Sequence, residues 1–133
     1  MELPARLVTK FQQLGCAKPE NAGPPAVRGA FTEKNITDWA LLCQKGRAET
    51  LIVFGTGSQA PSWEIWKTFD GDGVALVGRR IEPVERRFIV EHCQPNDGAA
   101  LPPIDHEGIL DGFDGSIVHY YYRGHWLHLT TKK

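Results

Sequence analysis

Three histidines, three tyrosines and a tryptophan fall within the fourteen residues SIVHYYYRGHWLHL, positions 116–129. Imidazole changes its charge near neutral pH, so histidines placed side by side can take up a proton, pass it on, or ligate a metal. With Arg123 and Gly124 as the two central residues of a tight hairpin turn, Tyr122 lies opposite His125, Tyr121 opposite Trp126, Tyr120 opposite Leu127 and His119 opposite His128. Alternation then puts Val118, Tyr120, Leu127 and Leu129 on one face, suited to a core. His119, Tyr121, Trp126 and His128 share the other, suited to a partner. In this register His119 and His128 are close enough to share a metal ion. A zinc site needs three or four ligands, however, and His92, Cys93 or His106 could supply a third only through the fold, so no metal is assigned. Arginine also fits poorly at the first position of a type I′ turn, and a longer loop would change the faces.

A second chemical feature precedes the hairpin. The segment IDHEGILDGFDG carries Asp105, Glu107, Asp111 and Asp114 around Gly108 and Gly112. Acids flanking a glycine can converge on Ca²⁺, but Asp- and Gly-rich stretches also form plain turns in which the side chain bonds its own backbone. The irregular spacing of these acids favours a turn over a tight calcium site. His106, between Asp105 and Glu107, is a candidate acid or base, although neighbours in a chain rarely face one substrate. The sequence has no G-x-S-x-G, H-E-x-x-H or C-x-x-C, and GTGS at 55–58 leads into Ala60 and Pro61 rather than a helix. No catalytic residue and no cofactor are assigned.

The elements that must position these groups follow from periodicity. Leu3, Leu7, Val8, Phe11 and Leu14 recur at helical spacing up to Gly15, which predicts a helix over 3–14 with Leu7, Phe11 and Leu14 against a sheet. From Ala30 onward come short apolar runs between turn residues: WALLC, TLIVFG, SWEIWKTF, GVALVGRRI, RRFIVEHC, SIVHYYY and HWLHLTT. Most of these read as strands; VERRFIVEHC could form a short helix on composition alone, but its Phe88, Ile89 and Val90 cluster is too brief and too β-branched to prefer one. The expected architecture is α+β: one N-terminal helix packed on a twisted antiparallel meander, a single domain over 1–133. Residues 29–54 and 102–129 share an outline of polar loop, strand and turn, short of a literal repeat.

Totals narrow the function classes. The chain has 133 residues, a formal net charge of −1, 14 glycines and 9 prolines. Near-neutral charge without a dense Lys/Arg block argues against nucleic-acid binding. No apolar run reaches a membrane span of roughly 18 residues, and the start lacks a signal peptide's apolar stretch. A soluble chain is expected, with export to the periplasm open if a leader has been removed. Cys16, Cys43 and Cys93 allow one disulfide with one thiol over, or three buried thiols. Buried small hydrophobes are the simpler reading of Cys43 and Cys93.

The segments GAFTEKNITDWALLC, LIVF and HEGILDGF, ahead of the aromatic hairpin, are similar to a group of uncharacterised small bacterial proteins, often exported. Those proteins carry a GxFTxxxxxDWAxLC segment, an LxVF strand and an HxGIxDxF loop; the likeness spans most of residues 29–129 and implies no activity. Gly29, Phe31 and Asp38 ahead of WALLC also resemble the FG-GAP or VCBS repeats of β-propellers, which implies a blade-like hairpin. The intervening TEKNIT lacks the successive acids of those repeats, and Glu33, Asn35 and Asp38 are a thin set for calcium. The residues together favour a non-enzymatic protein-binding or inhibitor-like module using His119, Tyr121, Trp126 and His128 with Asp105, His106 and Glu107. The alternative is a small hydrolase-like enzyme with a pocket between helix and sheet and His106 or His119 as acid or base.

Overall fold

Short apolar runs between turns pair with their sequence neighbours, because a tight turn brings the next run alongside in antiparallel sense. The computed structural model describes residues 9, 12–15, 26–45, 48–55, 62–69, 80–95, 98–112 and 117–131. Four strands, β1 (Ala26–Gly29), β2 (Asp38–Lys45), β3 (Ala48–Phe54) and β4 (Ser62–Phe69), form an antiparallel sheet in the order β1-β2-β3-β4. Five more, β5 (Arg80–Val84), β6 (Cys93–Pro95), β7 (Gly108–Gly112), β8 (Ile117–Tyr122) and β9 (His125–Thr131), form a second in the order β5-β7-β8-β9-β6. The single sheet expected from the sequence is therefore two, and the meander holds within the first of them.

WALLC and TLIVF are apolar at successive positions because both faces of β2 and β3 are buried. On one face Trp39, Leu41, Cys43, Ile52 and Phe54 cluster with Ala26. On the other, Ala40, Leu42, Leu51, Val53 and Val27 pack with Phe31 and with Ile81 and Ile109 of the second sheet. Burying each such Val, Leu or Ile contributes about 1.5–3 kcal/mol. Cys43 is disulfide-bonded and Cys93 is a buried thiol, so the arrangement with one disulfide is the one adopted.

Strand β4 departs from simple alternation. A regular strand would send Trp63 and Trp66 to opposite faces, since they are three residues apart. Against β3, Trp66 pairs with Leu51 and Glu64 with the next residue, Ile52, which leaves Ile65 as a bulge. The extra residue turns both tryptophans toward the second sheet, where they meet the histidine face of the β8–β9 hairpin.

Two segments differ from the sequence expectation. RRFIVEH is a helix, α1 (Arg86–His92), rather than a strand. Its seven residues give little periodic signal, but Arg87 bonds Glu91 at 3.1 Å and Phe88 meets the His92 ring at 4.9 Å, both four residues apart as a helix requires. Ile89 is buried between α1 and the second sheet among Val84, Cys93, Ile104, Val118, Tyr120 and Leu129. A Cβ on Gly108 would lie 3.0 Å from Ile89 Cδ1, so helix and sheet are in direct contact with no pocket at that point. The Asp105–Asp114 segment is also more than a turn, because Gly108–Gly112 is strand β7.

Of the N-terminal helix, Leu3, Leu7, Val8 and Phe11 lie outside the described residues. Thr9, Gln12 and Gln13 are helical, and Gly15, at φ 75°, stops the run by donating its N–H to Gln12 O at 3.0 Å. Leu14 is exposed rather than packed on a sheet. Among the described residues, no helix is long and apolar enough to cross a membrane.

Candidate functional site

The β8–β9 hairpin has the register that alternation predicts: His119 opposite His128, Tyr120 opposite Leu127, Tyr121 opposite Trp126 and Tyr122 opposite His125. Arg123 and Gly124 both take positive φ, 48° and 83°, as a type I′ turn demands. Val118, Tyr120 and Leu129 are buried beneath α1 and its flanking loop, with Leu127 packed alongside. The opposite face is turned toward the four-stranded sheet and is not an open aromatic surface. His119 is wholly buried, Trp126 packs on the inter-sheet core, and Trp63 covers Tyr121 and Trp126 at ring distances of 5.3 and 6.0 Å.

Within this wall the histidines are chained to a carboxylate. His119 Nε2 donates to Asp111 Oδ2 at 2.8 Å, because the carboxylate can only accept. His119 Nδ1 lies 2.8 Å from His128 Nδ1, so one of the two nitrogens carries the shared proton. Asp111 and His119 are buried and His128 is half-buried, which gives the chain an inner and an outer end. Burial lowers the His128 pKa below its ordinary value; the neighbouring His119 lowers it further, and Asp111 partly opposes both. Trp66 braces the pair, its ring centroid 5.5 Å from His119 and 4.8 Å from His128.

A shared metal does not suit this geometry. Two nitrogens on one tetrahedral zinc, each at 2.0–2.1 Å, stand about 3.3 Å apart, farther than the 2.8 Å seen between the rings. The described residues contain no cluster of three or more His, Cys, Asp or Glu side chains arranged to hold a metal ion.

A separate, shallow groove of about 330 Å³ opens at the turn end of the hairpin, lined by Thr32, Glu33, Pro103, Asp105, His106, Tyr121, Tyr122 and Arg123. Hydrogen bonds fix the three segments that form it. Buried Asp38 accepts from Phe31 N, Thr32 N and Thr32 Oγ1 at 3.1, 2.9 and 2.8 Å, which folds the loop after β1 back onto the start of β2. Ala30 and Glu107 then exchange bonds, Ala30 N to Glu107 Oε1 at 2.8 Å and Glu107 N to Ala30 O at 3.0 Å. A Cβ at Gly29 would come within 2.8 Å of the Phe31 ring, so this crossing needs glycine.

No family model, curated protein or solved structure matches the chain. The groove and the histidine chain are therefore read from their own chemistry.

His106 is a strut. Its ring stacks on Tyr120 at 4.2 Å and 9°, and its nitrogens face Glu107 O and Tyr121 O, each at 2.9 Å, so neither is open to a substrate. The Tyr120 hydroxyl, its pKa raised by burial, accepts from Asp105 N at 3.0 Å. Asp105 is exposed at the groove and Glu107 is spent on Ala30. His119 likewise has both nitrogens engaged. Asp105, His106 and Tyr121 thus meet in the groove, whereas His119 and His128 belong to the inter-sheet chain. Sequence reasoning missed Asp111, Trp66 and Arg123 as partners. Asp111 was visible only as an acid of the candidate calcium loop, and a β7–β8 register was needed to place it diagonally across from His119.

Proposed function

We propose that the protein is a binding module that recognises a polypeptide segment in the groove at the turn end of the β8–β9 hairpin. The observation that carries this reading is the convergence of three hydrogen-bonded segments on one shallow concavity presenting tyrosine, arginine and carboxylate side chains. Tyrosine and arginine are the types that most often anchor protein interfaces, and a pre-ordered groove loses little entropy on binding. Its volume suits one or two side chains of a partner. Arg123 adds support, since it holds a left-handed backbone that glycine or asparagine would take at lower cost, and its guanidinium lies 5.2 Å from the centroid of the Tyr122 ring. Asp105 and Glu33 flank it with negative charge.

Selection of displayed random peptides against the purified protein tests the proposal. Peptides that bind should lose at least tenfold in affinity to Tyr122→Ala and to Arg123→Ala while both variants stay folded, in keeping with anchors worth about 2 kcal/mol. Equal binding to the variants would refute the groove as the recognition site.

A further inference from the structure

The groove leaves the Asp111–His119–His128 chain unexplained. This chain is built into a largely apolar wall: Ile81 and Ile109 share its face of the sheet, Trp66 closes over both rings, and the buried acid Glu49 lies on the same face of β3 as Leu51 and Val53. Burying a carboxylate and an imidazole there is costly, and apolar residues of similar size would fill the space without that cost. The hydrogen bonds also have a direction. Asp111 anchors the inner end, both nitrogens of His119 are engaged, and only Nε2 of half-buried His128 has no partner among the described residues.

We infer that Asp111, His119 and His128 form a proton relay that makes His128 Nε2 an acid/base site for a protic oxygen, either water or a substrate hydroxyl. In the resting state Asp111 fixes the His119 tautomer with the proton on Nε2. His119 Nδ1 is then an acceptor, His128 donates through Nδ1, and the lone pair of His128 Nε2 faces outward. When an O–H at that nitrogen gives up its proton, a new N–H bond forms at His128 Nε2. The His128 Nδ1 proton passes to His119 Nδ1, and His119 becomes an imidazolium held against the Asp111 carboxylate. The electron pair stays on the oxygen, which becomes the nucleophile, and return of the proton reverses each step. Burial, aided by the neighbouring His119, lowers the His128 pKa and so favours the neutral imidazole that a base requires. His119 and Asp111 act through His128 and are positioning residues.

Diethyl pyrocarbonate, a small reagent that acylates unprotonated imidazole nitrogen, probes the site directly when the modified histidines are mapped by mass spectrometry between pH 4.5 and 8. His128 should be modified, with a midpoint below that of N-acetylhistidine, while His106 and His119 are protected. Asp111→Asn should slow the reaction at His128 by about threefold or more and move its midpoint lower, because the carboxylate that favours the proton on the pair is gone. An unreactive His128 in the folded protein would overturn the inference, as would a rate and midpoint indifferent to Asp111→Asn. Long-range proton–nitrogen spectra of the unaltered protein give a check that needs no variant. Ring nitrogens of His119 and His128 should shift together through one midpoint, and two independent titrations would equally overturn the relay.

Discussion

Replacing His119 with leucine is the sharpest test of the buried chain. His119 is 0% exposed and Asp111 1% exposed, with 2.8 Å between Nε2 and Oδ2. Leucine fills much the same volume, so the perturbation is the loss of the charge-assisted hydrogen bond that His119 gives a buried carboxylate. Removing one member of such a pair costs about 3–5 kcal/mol. The second bond, to His128, adds less, because half-buried His128 can turn to water. Asp111→Asn keeps an oxygen acceptor and removes the charge, so alone it should cost about 1 kcal/mol. In the double variant the charge that His119 stabilises is gone as well, so the combined loss should fall short of the sum by about 2 kcal/mol or more. Urea unfolding of the four proteins measures each value. A His119→Leu protein within about 1 kcal/mol of the parent, or strict additivity in the cycle, would refute the buried pair.

Gly108→Ala should destabilise by about 1–3 kcal/mol in the same assay, since its Cβ would lie 3.0 Å from Ile89 Cδ1 and Val118 Cγ1 and 3.1 Å from the main-chain His119 O. Arg123→Asn should raise the unfolding midpoint, by about 0.5–1 kcal/mol in stability, because asparagine tolerates the left-handed turn backbone while arginine is strained there. Stability should also depend on His128 protonation: its folded pKa is depressed, so the unfolded chain takes up the proton first, and the contribution is full above the unfolded value of about 6.5. It is lost as pH falls through the folded pKa, so melting temperatures should drop between pH 7.5 and 5, and His128→Gln should flatten that part of the profile.

The hairpin was legible because one two-residue turn fixes a register and alternation then places every side chain. What covers each face was not, since the partner of the histidine face is a strand about sixty positions earlier. Its two tryptophans point the same way only because Ile65 bulges. The helix α1 is too short for periodicity to outvote its apolar cluster, and β7 was hidden by an Asp- and Gly-rich composition that ordinarily signals a turn. Asp38 and Gly29, noticed as fragments of a repeat-like motif, have local reasons for their identity. One folds the loop after β1 and the other lets Phe31 and Glu107 approach.

Hydrogen–deuterium exchange with a selected peptide bound tests recognition in the groove most directly. Protection confined to the segments around 31–33, 103–106 and 121–124 is the predicted result. Protection centred on the β4 strand or on α1, with those three segments unchanged, would contradict it.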